Sequence, residues 1–516
     1  MPVRPSLCLA AALAIHAALL GGARLSAQER DASPYLPSSH WAIPYLEHLI
    51  AAGAIKDPTP LTRPLRRRDA LRALEAADTL RLSVATVSTI RLLETALADA
   101  AEPHRVRLEG HVGLAAANYA RRDPLAAIEE TGPRQSGPGH GTGSADLELA
   151  LVTDHVAAVT RPEVDTRLKY DPDWFGKKDR VIAGRTAEAY VDAEWQNVDL
   201  FFGRLDRNWG PSGIQGLLLS DDPYGLDHFH FSLGTTTLKL QWVAAQLDDL
   251  DSAGVVEHRF MMQHRLLFTP EHWAIALWDA SVVSGQARSF DFWYLNPLNL
   301  GILEQWNKGG EQNAFLGFDV QHTGAITLFA QFLLDDIQID RNGPGDLKPP
   351  SYGFTIGAKS PLGSAPASGT LFYTRVTNLT YRNEDPYSLP LYHFLGTGRN
   401  FDDYDQATLQ VTVLPRAGLL LTPEITLLRQ GEGDPRLPQP PVSAYSTTAT
   451  IFQGVVERAL RLAIAGRYAP SERLSVTFDA GVHHITNYQH VTGDTRTRVL
   501  GTVGVAYRFR GGGPLP

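Results

Sequence analysis

The sequence predicts an all-β protein, a transmembrane antiparallel β-barrel of about 18 strands with a small N-terminal α-helical periplasmic module. Three observations predict it. The first is alternation: Val499, Val503, Val505, Tyr507 and Phe509 share one face of the last stretch, while Gly504, Ala506, Arg508 and Arg510 share the other. Side chains of a strand repeat every two residues, so such a segment has one apolar side and one wet or crowded side. The second is recurrence of that pattern in segments of roughly ten residues from about residue 105 to Arg510, joined by connections that alternate long and short. The third is a secretion-type leader in front.

The leader is read over residues 1–27. Arg4 supplies its positive start, residues 7–22 its apolar core, and Leu25-Ser26-Ala27 a cleavage site before Gln28. The only cysteine, Cys8, lies within it, so the mature chain is expected to lack thiols, disulfides and cysteine-ligated metals. No later run approaches the ~20 apolar residues of a membrane-spanning helix. A net charge of -9 leaves no electrostatic footprint for nucleic acid.

Residues 28–104 have a helical texture. Ile43, Leu46, Leu49 and Ile50 recur at helical spacing before Gly53, Ala70, Leu71, Leu74 and Ala77 mark a second helix, and a third spans about residues 84–98. Leu36-Pro37-Ser38-Ser39-His40-Trp41-Ala42, followed by Leu49, Gly53-Ala54-Ile55 and Leu61-Thr62-Arg63, resembles a single S-layer homology motif. That resemblance implies a periplasmic tether to peptidoglycan, with Trp41, Arg63, Arg66 and Arg67 as its wall contacts. A plain helical hairpin that caps the barrel mouth or packs inside it is the alternative.

The barrel is expected over residues 105–510, with 511–516 as a tail. Its strands are placed to begin near residues 106, 145, 164, 182, 198, 229, 237, 257, 272, 313, 324, 351, 368, 404, 417, 447, 472 and 496. Turn-like connections follow the even-numbered strands: Thr160-Arg161-Pro162, Gln196-Asn197, Thr269-Pro270-Glu271, Pro415-Arg416 and Ala469-Pro470-Ser471. Longer ones lie around residues 119–144, 207–228, 284–312, 335–350, 378–403 and 429–446. Short periplasmic turns and long outer loops would place both barrel ends in the periplasm of a Gram-negative-type envelope. Trp195, Trp242, Trp273, Trp278, Tyr373, Tyr468 and Tyr507 suit the lipid headgroup level. Asp192, Glu194, Arg265, Arg375, Glu424, Arg458 and Arg467 are expected to face the lumen, as a salt-bridge lattice or as a transport path.

One passage breaks the alternation. Phe201-Phe202-Gly203-Arg204-Leu205-Asp206-Arg207-Asn208-Trp209-Gly210-Pro211-Ser212 leaves the sheet at its Trp-Gly-Pro, because proline lacks a donor and glycine permits a turn. Leu217-Leu218-Leu219 behind it is apolar without alternation and is expected to fold inward and constrict the lumen. This passage, with Gly216 to Pro223, His264-Arg265-Leu266 and Asn296-Pro297, resembles the Wzi family of capsule-assembly outer-membrane proteins. The likeness is specific over residues 201–223 and 290–313 and loose elsewhere. Asp221-Asp222 stands where that family more often carries asparagines.

The resemblance implies a non-enzymatic barrel that anchors or organises capsular or extracellular polysaccharide. Aromatic faces beside planar polar groups suit sugar rings. The binding candidates are Arg204, Asp206, Arg207, Asn208 and Trp209 in the passage itself, Trp293, Tyr294, Asn296 and Trp306 in one loop, and Tyr387, Tyr392 and Arg399 in another. Packing of these aromatic loops on one another across the mouth is the alternative. No GxSxG or HExxH occurs. His483 and His484 point to opposite faces, and His228 and His230 share a face without a third ligand at matching spacing. Glu304 and Glu311 are acids whose separation the sequence does not give. Neither catalysis, cofactor nor metal is therefore expected, and outer-membrane lipid is an expected partner. The competing reading is a carbohydrate- or ion-selective porin tethered to peptidoglycan.

Overall fold

The computed structural model describes residues 32–118, 140–168, 174–180, 182–221, 224–252, 254–308, 312–338 and 343–515. The expected leader, Asp222 and Glu311 lie outside them.

Eighteen antiparallel strands close into one barrel. In chain order they are β1 (Arg105–Ala117), β2 (His140–Val152), β3 (Val156–Asp165), β4 (Ala183–Glu194), β5 (Val198–Leu205), β6 (Leu226–Gly234), β7 (Leu238–Gln246), β8 (Val255–Phe268) and β9 (Trp273–Gly285). They continue as β10 (Gln312–His322), β11 (Thr327–Asp336), β12 (Ser351–Pro361), β13 (Ala367–Val376), β14 (Tyr404–Arg416), β15 (Leu419–Gln430), β16 (Glu457–Ser471), β17 (Leu474–Thr486) and β18 (Thr495–Pro514). β18 pairs with β1 from Thr502 opposite Ala117 to Pro514 opposite Arg105, so no edge is left open. The seam runs into the segment expected to be a tail.

Short turns gather at one end of the barrel and long connections at the other. Expected strand starts fall within three residues of the observed ones except at 145, 164 and 447. The second of these errors has a clear cause. Thr160-Arg161-Pro162 is no turn but the middle of β3, where the register slips between Arg161 and Pro162. A bulge removes the need for a ladder donor, so proline is tolerated there. The real turn is Thr153-Asp154-His155.

The outer surface carries the alternation's apolar half. Leu114, Leu149, Phe202, Leu277, Leu371, Ile425, Leu462 and Val505 are among the large apolar side chains exposed around the whole circumference. A belt this extensive, on a closed sheet with no unpaired edge, is the outside of an outer-membrane barrel. Trp195, Trp273 and Tyr507 are exposed near its short-turn edge, as expected of interfacial rings. Trp278 instead points inward, where its Nε1 donates to Asp319 at 3.3 Å.

The N-terminal module sits inside the barrel at the short-turn end. Its helices are α1 (Ile43–Ala51), α2 (Arg67–Glu75) and α3 (Val84–Leu97), the last capped by Ser83, whose side chain accepts from the Thr86 N–H. Leu46, Leu49, Leu71, Leu74, Ile90, Leu93 and Leu97 form one core with the inward-facing wall residues Leu414, Leu420 and Ala469. Helices and wall thus share a single apolar interior. The Tyr45 hydroxyl donates to the Gly418 carbonyl at 2.8 Å, and the Gly418 N–H donates to Thr89 Oγ1 at 3.0 Å.

Ion pairs complete the docking. Arg66 sits among Asp192, Asp199 and Glu194 of β4 and β5, and Arg67 reaches Glu109 at 3.1 Å and Glu148 at 3.5 Å. Arg63 is held within the module by Glu47 at 2.6 Å and Asp57 at 3.0 Å. Arg265 of β8 donates to the Leu61 carbonyl at 2.9 Å and Thr62 Oγ1 at 3.0 Å. Arg63, Arg66 and Arg67, expected to meet an outside polymer, are therefore buried in internal pairs. Trp41 is half-buried beneath the Arg508 guanidinium at 4.4 Å.

The lumen-facing assignment holds for Asp192, Glu194, Arg265, Glu424 and Arg467, with Glu424 paired to Arg461. Arg375 and Arg458 face outward instead. They lie in one lateral row with Asp405 and Arg429 at the long-loop edge, above the apolar belt, where an outward charge meets water rather than hydrocarbon.

Candidate functional site

The Trp-Gly-Pro passage turns into the lumen. Asn208 staples it: its Nδ2 donates to the Ile214 carbonyl at 2.8 Å and its Oδ1 accepts from the Gly216 N–H at 2.7 Å. Asn208-Trp209 pairs with Thr62-Arg63 of the module, joining the two inserts. Gln331 of β11 reads the backbone on both sides, donating to the Trp209 carbonyl at 2.9 Å and accepting from the Leu217 N–H at 2.8 Å. Lys359 of β12 donates to Ser212 Oγ at 2.7 Å. Leu217, Leu218 and Leu219 are fully buried in the luminal core with Met261, Phe315, Tyr381 and Tyr404. The inward fold expected of this leucine run is what the structure has.

The connection between β13 and β14 descends onto this insert from the long-loop end. The Tyr381 hydroxyl donates to the Leu217 carbonyl at 2.5 Å, and Ser220 Oγ donates to the Gly398 carbonyl at 2.7 Å. A Cβ on Gly398 would overlap the Leu217 backbone, so only glycine allows this approach. Arg399 is buried, donating to Gln215 Oε1 at 3.3 Å and to Thr355 and Thr374 Oγ1 at 3.5 Å.

Half of the binding candidates named from sequence are thus interior fittings. Arg207 donates to His228 Nε2 at 2.7 Å and stacks on Phe201, Asn208 and Trp209 hold the insert, and Asp206 lies half-buried beside Gly225. Tyr294 is buried and Tyr387 half-buried, the latter's carbonyl accepting from Arg259 at 2.7 Å. Trp293 and Asn296 are exposed, but on the outer flank of the wall rather than over the mouth. The Trp306 side chain lies outside the described residues.

An exposed aromatic platform does exist at the long-loop end. Leu391-Tyr392 pairs with Leu395-Gly396, so His393 and Phe394 form a two-residue turn, both at positive φ (51° and 65°). Such turns ordinarily carry Asn-Gly, because the left-handed region costs other residues about 1–2 kcal/mol each. Strain of this kind persists only where surroundings impose it. Here Asp248 accepts from the His393 N–H at 2.9 Å, and Arg436 donates to the Phe394 carbonyl at 3.0 Å. Phe175 stacks flat on His393, with centroids 4.0 Å apart and planes at 7°. Tyr224 meets Phe175 edge-on at 5.0 Å, and Trp174 lies 4.9 Å from it. Phe175 stays 45% exposed and Phe394 67% exposed. Arg204 and Asp227, an ion pair at the rim, and Asp248 are the charges that act on Tyr392. Burial lowers the His393 imidazole below its ordinary pKa, leaving a neutral ring for stacking. Of the sequence candidates, Arg204 and Tyr392 belong here. Phe175 was missed, having no alternation or motif around it, though an aromatic pair in a long loop is a signal of sorts.

Among the described residues no three His, Cys, Asp or Glu side chains converge as a metal site. His228 and His230 are buried lumen residues.

No sequence-family profile matches the chain, and no characterised protein aligns with it significantly. Among solved structures it resembles Wzi of Escherichia coli, described as an outer-membrane protein involved in group 1 capsule assembly and a carbohydrate-binding β-barrel. The TM-score is 0.57 at 12% identity, covering 90% of this chain and 98% of that one. OccAB4 of Acinetobacter baumannii gives 0.45 at 7% identity, covering 80% of this chain and 99% of the other. OprD of Pseudomonas aeruginosa gives 0.44 at 10%, covering 78% and 95%. At these identities the likeness is one of fold.

Proposed function

We propose that this outer-membrane barrel holds exported polysaccharide at the cell surface, without catalysis, with its module on the periplasmic side. The aromatic platform carries the reading. Phe175, His393 and Phe394 offer flat apolar faces beside the Arg204–Asp227 pair, a combination that suits sugar rings and their hydroxyls. Strain spent on presenting an exposed phenylalanine has no packing rationale. The carbohydrate binding described for Escherichia coli Wzi, on a barrel of the same fold, points the same way. The filled lumen favours a scaffold over a conduit. Deletion of the gene should leave polymer synthesis intact while polymer sheds into the medium; unchanged surface retention sinks the reading.

One observation favours the porin reading. A polar cavity of about 580 Å³ runs between the module and the β1–β4 and β16–β18 side of the wall, lined by Glu109, Asp146, Arg161, Arg185, Arg467 and Arg508 among others. If it were a path, intact protein in planar bilayers would carry steady ionic current. Wall attachment through Arg63, Arg66 and Arg67 is not part of the proposal, since those side chains are engaged inside the barrel.

A further inference from the structure

The connection between β9 and β10 folds down the outside of the wall instead of across the mouth. It carries two helices, α4 (Phe292–Leu295) and α5 (Gly301–Lys308). Strand register shows what it covers. Leu240, Leu266, Leu277 and Phe318 form one outward-facing lateral row on β7–β10, with Leu240 half-buried and the other three exposed. The next outward row toward the long-loop end, two residues along each strand, is Trp242, His264, Asp279 and Leu316. The one beyond is Ala244, Met262, Ser281 and Ala314. His264, Asp279 and Ser281 face away from the lumen, yet they are buried, and residues 294–301 are what bury them. His264 Nε2 donates to the Tyr294 carbonyl at 2.9 Å, and Asp279 Oδ2 accepts from the Gly301 N–H at 2.9 Å. Tyr294 packs on Phe260, Met262 and Val283.

The height of this flap is set by counting along strands. Asp279 and Val283 lie six and ten residues above Trp273 at the short-turn edge. A tilted strand rises roughly 2.5 Å per residue along the barrel axis, which puts them about 15 and 25 Å up. On the far side of the barrel Ile425 and Leu427 are exposed six and eight residues above Leu419, and the row of Arg375, Asp405, Arg429 and Arg458 comes only at ten. The apolar belt therefore reaches the level of Asp279 and Ser281, and the charged row lies level with Val283 at the flap's upper limit. What the flap shows the outside is largely apolar: Phe292 is 88% and Leu298 79% exposed, with Phe290, Trp293, Leu300 and Leu303 beside them, while the exposed polar side chains are Asn296 and, at its start, Gln286 and Ser289.

We propose that residues 290–303 are embedded in the outer half of the bilayer, with lipid acyl chains as the partner of their exposed face. The flap replaces lipid over a stretch of wall whose His264, Asp279 and Ser281 would be costly against hydrocarbon. Its exposed apolar side chains lie beside the belt row of Leu266, Leu277 and Phe318, which is why acyl chains and not a protein are the occupant. The inference rests on the membrane-spanning reading of the barrel, and the experiment separates the two. In a Cys8→Ala background, nitroxides are attached at Phe292→Cys and Leu298→Cys in proteoliposomes. Leu277→Cys serves as the wall control and Leu437→Cys, in the exposed β15–β16 connection, as the aqueous control. Collision with oxygen and with a water-soluble nickel chelate is measured by paramagnetic resonance. Both flap labels should follow Leu277→Cys, with nickel collision on the order of tenfold below that at Leu437→Cys, as for groups in hydrocarbon. Flap labels that match Leu437→Cys while Leu277→Cys stays shielded overturn the proposal alone. A water-accessible Leu277→Cys overturns the barrel's membrane reading with it.

Discussion

Phe394 is the residue at which strain and exposure meet, and the two make opposite demands. In a left-handed turn position phenylalanine is disfavoured by about 1–2 kcal/mol relative to glycine, while glycine adds freedom to the unfolded chain. Those terms nearly offset, and a side chain 67% exposed has little packing to lose. Phe394→Gly should therefore leave unfolding stability within about 1 kcal/mol, while binding of the surface polysaccharide falls. Titration calorimetry beside thermal unfolding separates the two. A loss of several kcal/mol would show that Phe394 is a packing element and not a binding face. Residues of this kind are hard to read from sequence, because nothing local announces a positive φ in a His-Phe pair. Arg375 and Arg458 show the complementary limit. Alternation locates a face correctly, but near a strand end the outward face emerges from lipid, and the rule that charge means lumen stops applying.

Elements differ in how much of them the sequence reveals. Wall strands are legible because period-two patterning is local and a one-residue slip would turn every apolar side chain inward. The module's helices are legible for the same local reason, at period 3.6. Their docking is not, since Arg66 meets Asp192 across 126 residues of chain. The docked position has a consequence for pH. His48 of α1 is buried against Ser368 of β13, with Nδ1 and Oγ 2.9 Å apart, and burial lowers its pKa from 6.5 to about 4. An undocked imidazole takes up its proton near 6.5 and the docked one resists until about 4. Between those values the undocked state binds more protons, so docking weakens as pH falls through that window and is favoured above it. Protease cleavage within residues 32–104 should accelerate from pH 7 to pH 4.5, and His48→Gln should flatten that dependence. An unchanged slope in the variant would assign the effect to the carboxylates around Arg66 and Arg67.

At the scale of the whole molecule, two inserts obstruct the lumen in series, and they are held by different anchors. The module rests on Leu414, Leu420, Gly418 and the carboxylates of β1, β2, β4 and β5. The Trp209–Leu219 insert rests on Gln331, Lys359, Tyr381 and Gly398, and meets the module along Leu61, Thr62 and Arg63. Removing the module would leave the second set of anchors in place. A chain lacking residues 33–100 should consequently remain a closed barrel, heat-modifiable on gels, and still conduct poorly in planar bilayers. On its β1–β5 side the wall around the missing module is charged enough to be wet, so its carboxylates become ordinary lumen charges. Shortening the 209–219 insert to a glycine linker in that background should open a path and raise single-channel conductance sharply. The order of events decides between the two functional readings. A pore that opens on loss of the module alone would make the helices a gate, as a porin needs. A pore that opens only when both inserts are gone describes a barrel built to stay shut, in which the outward-facing loops are left as the working surface.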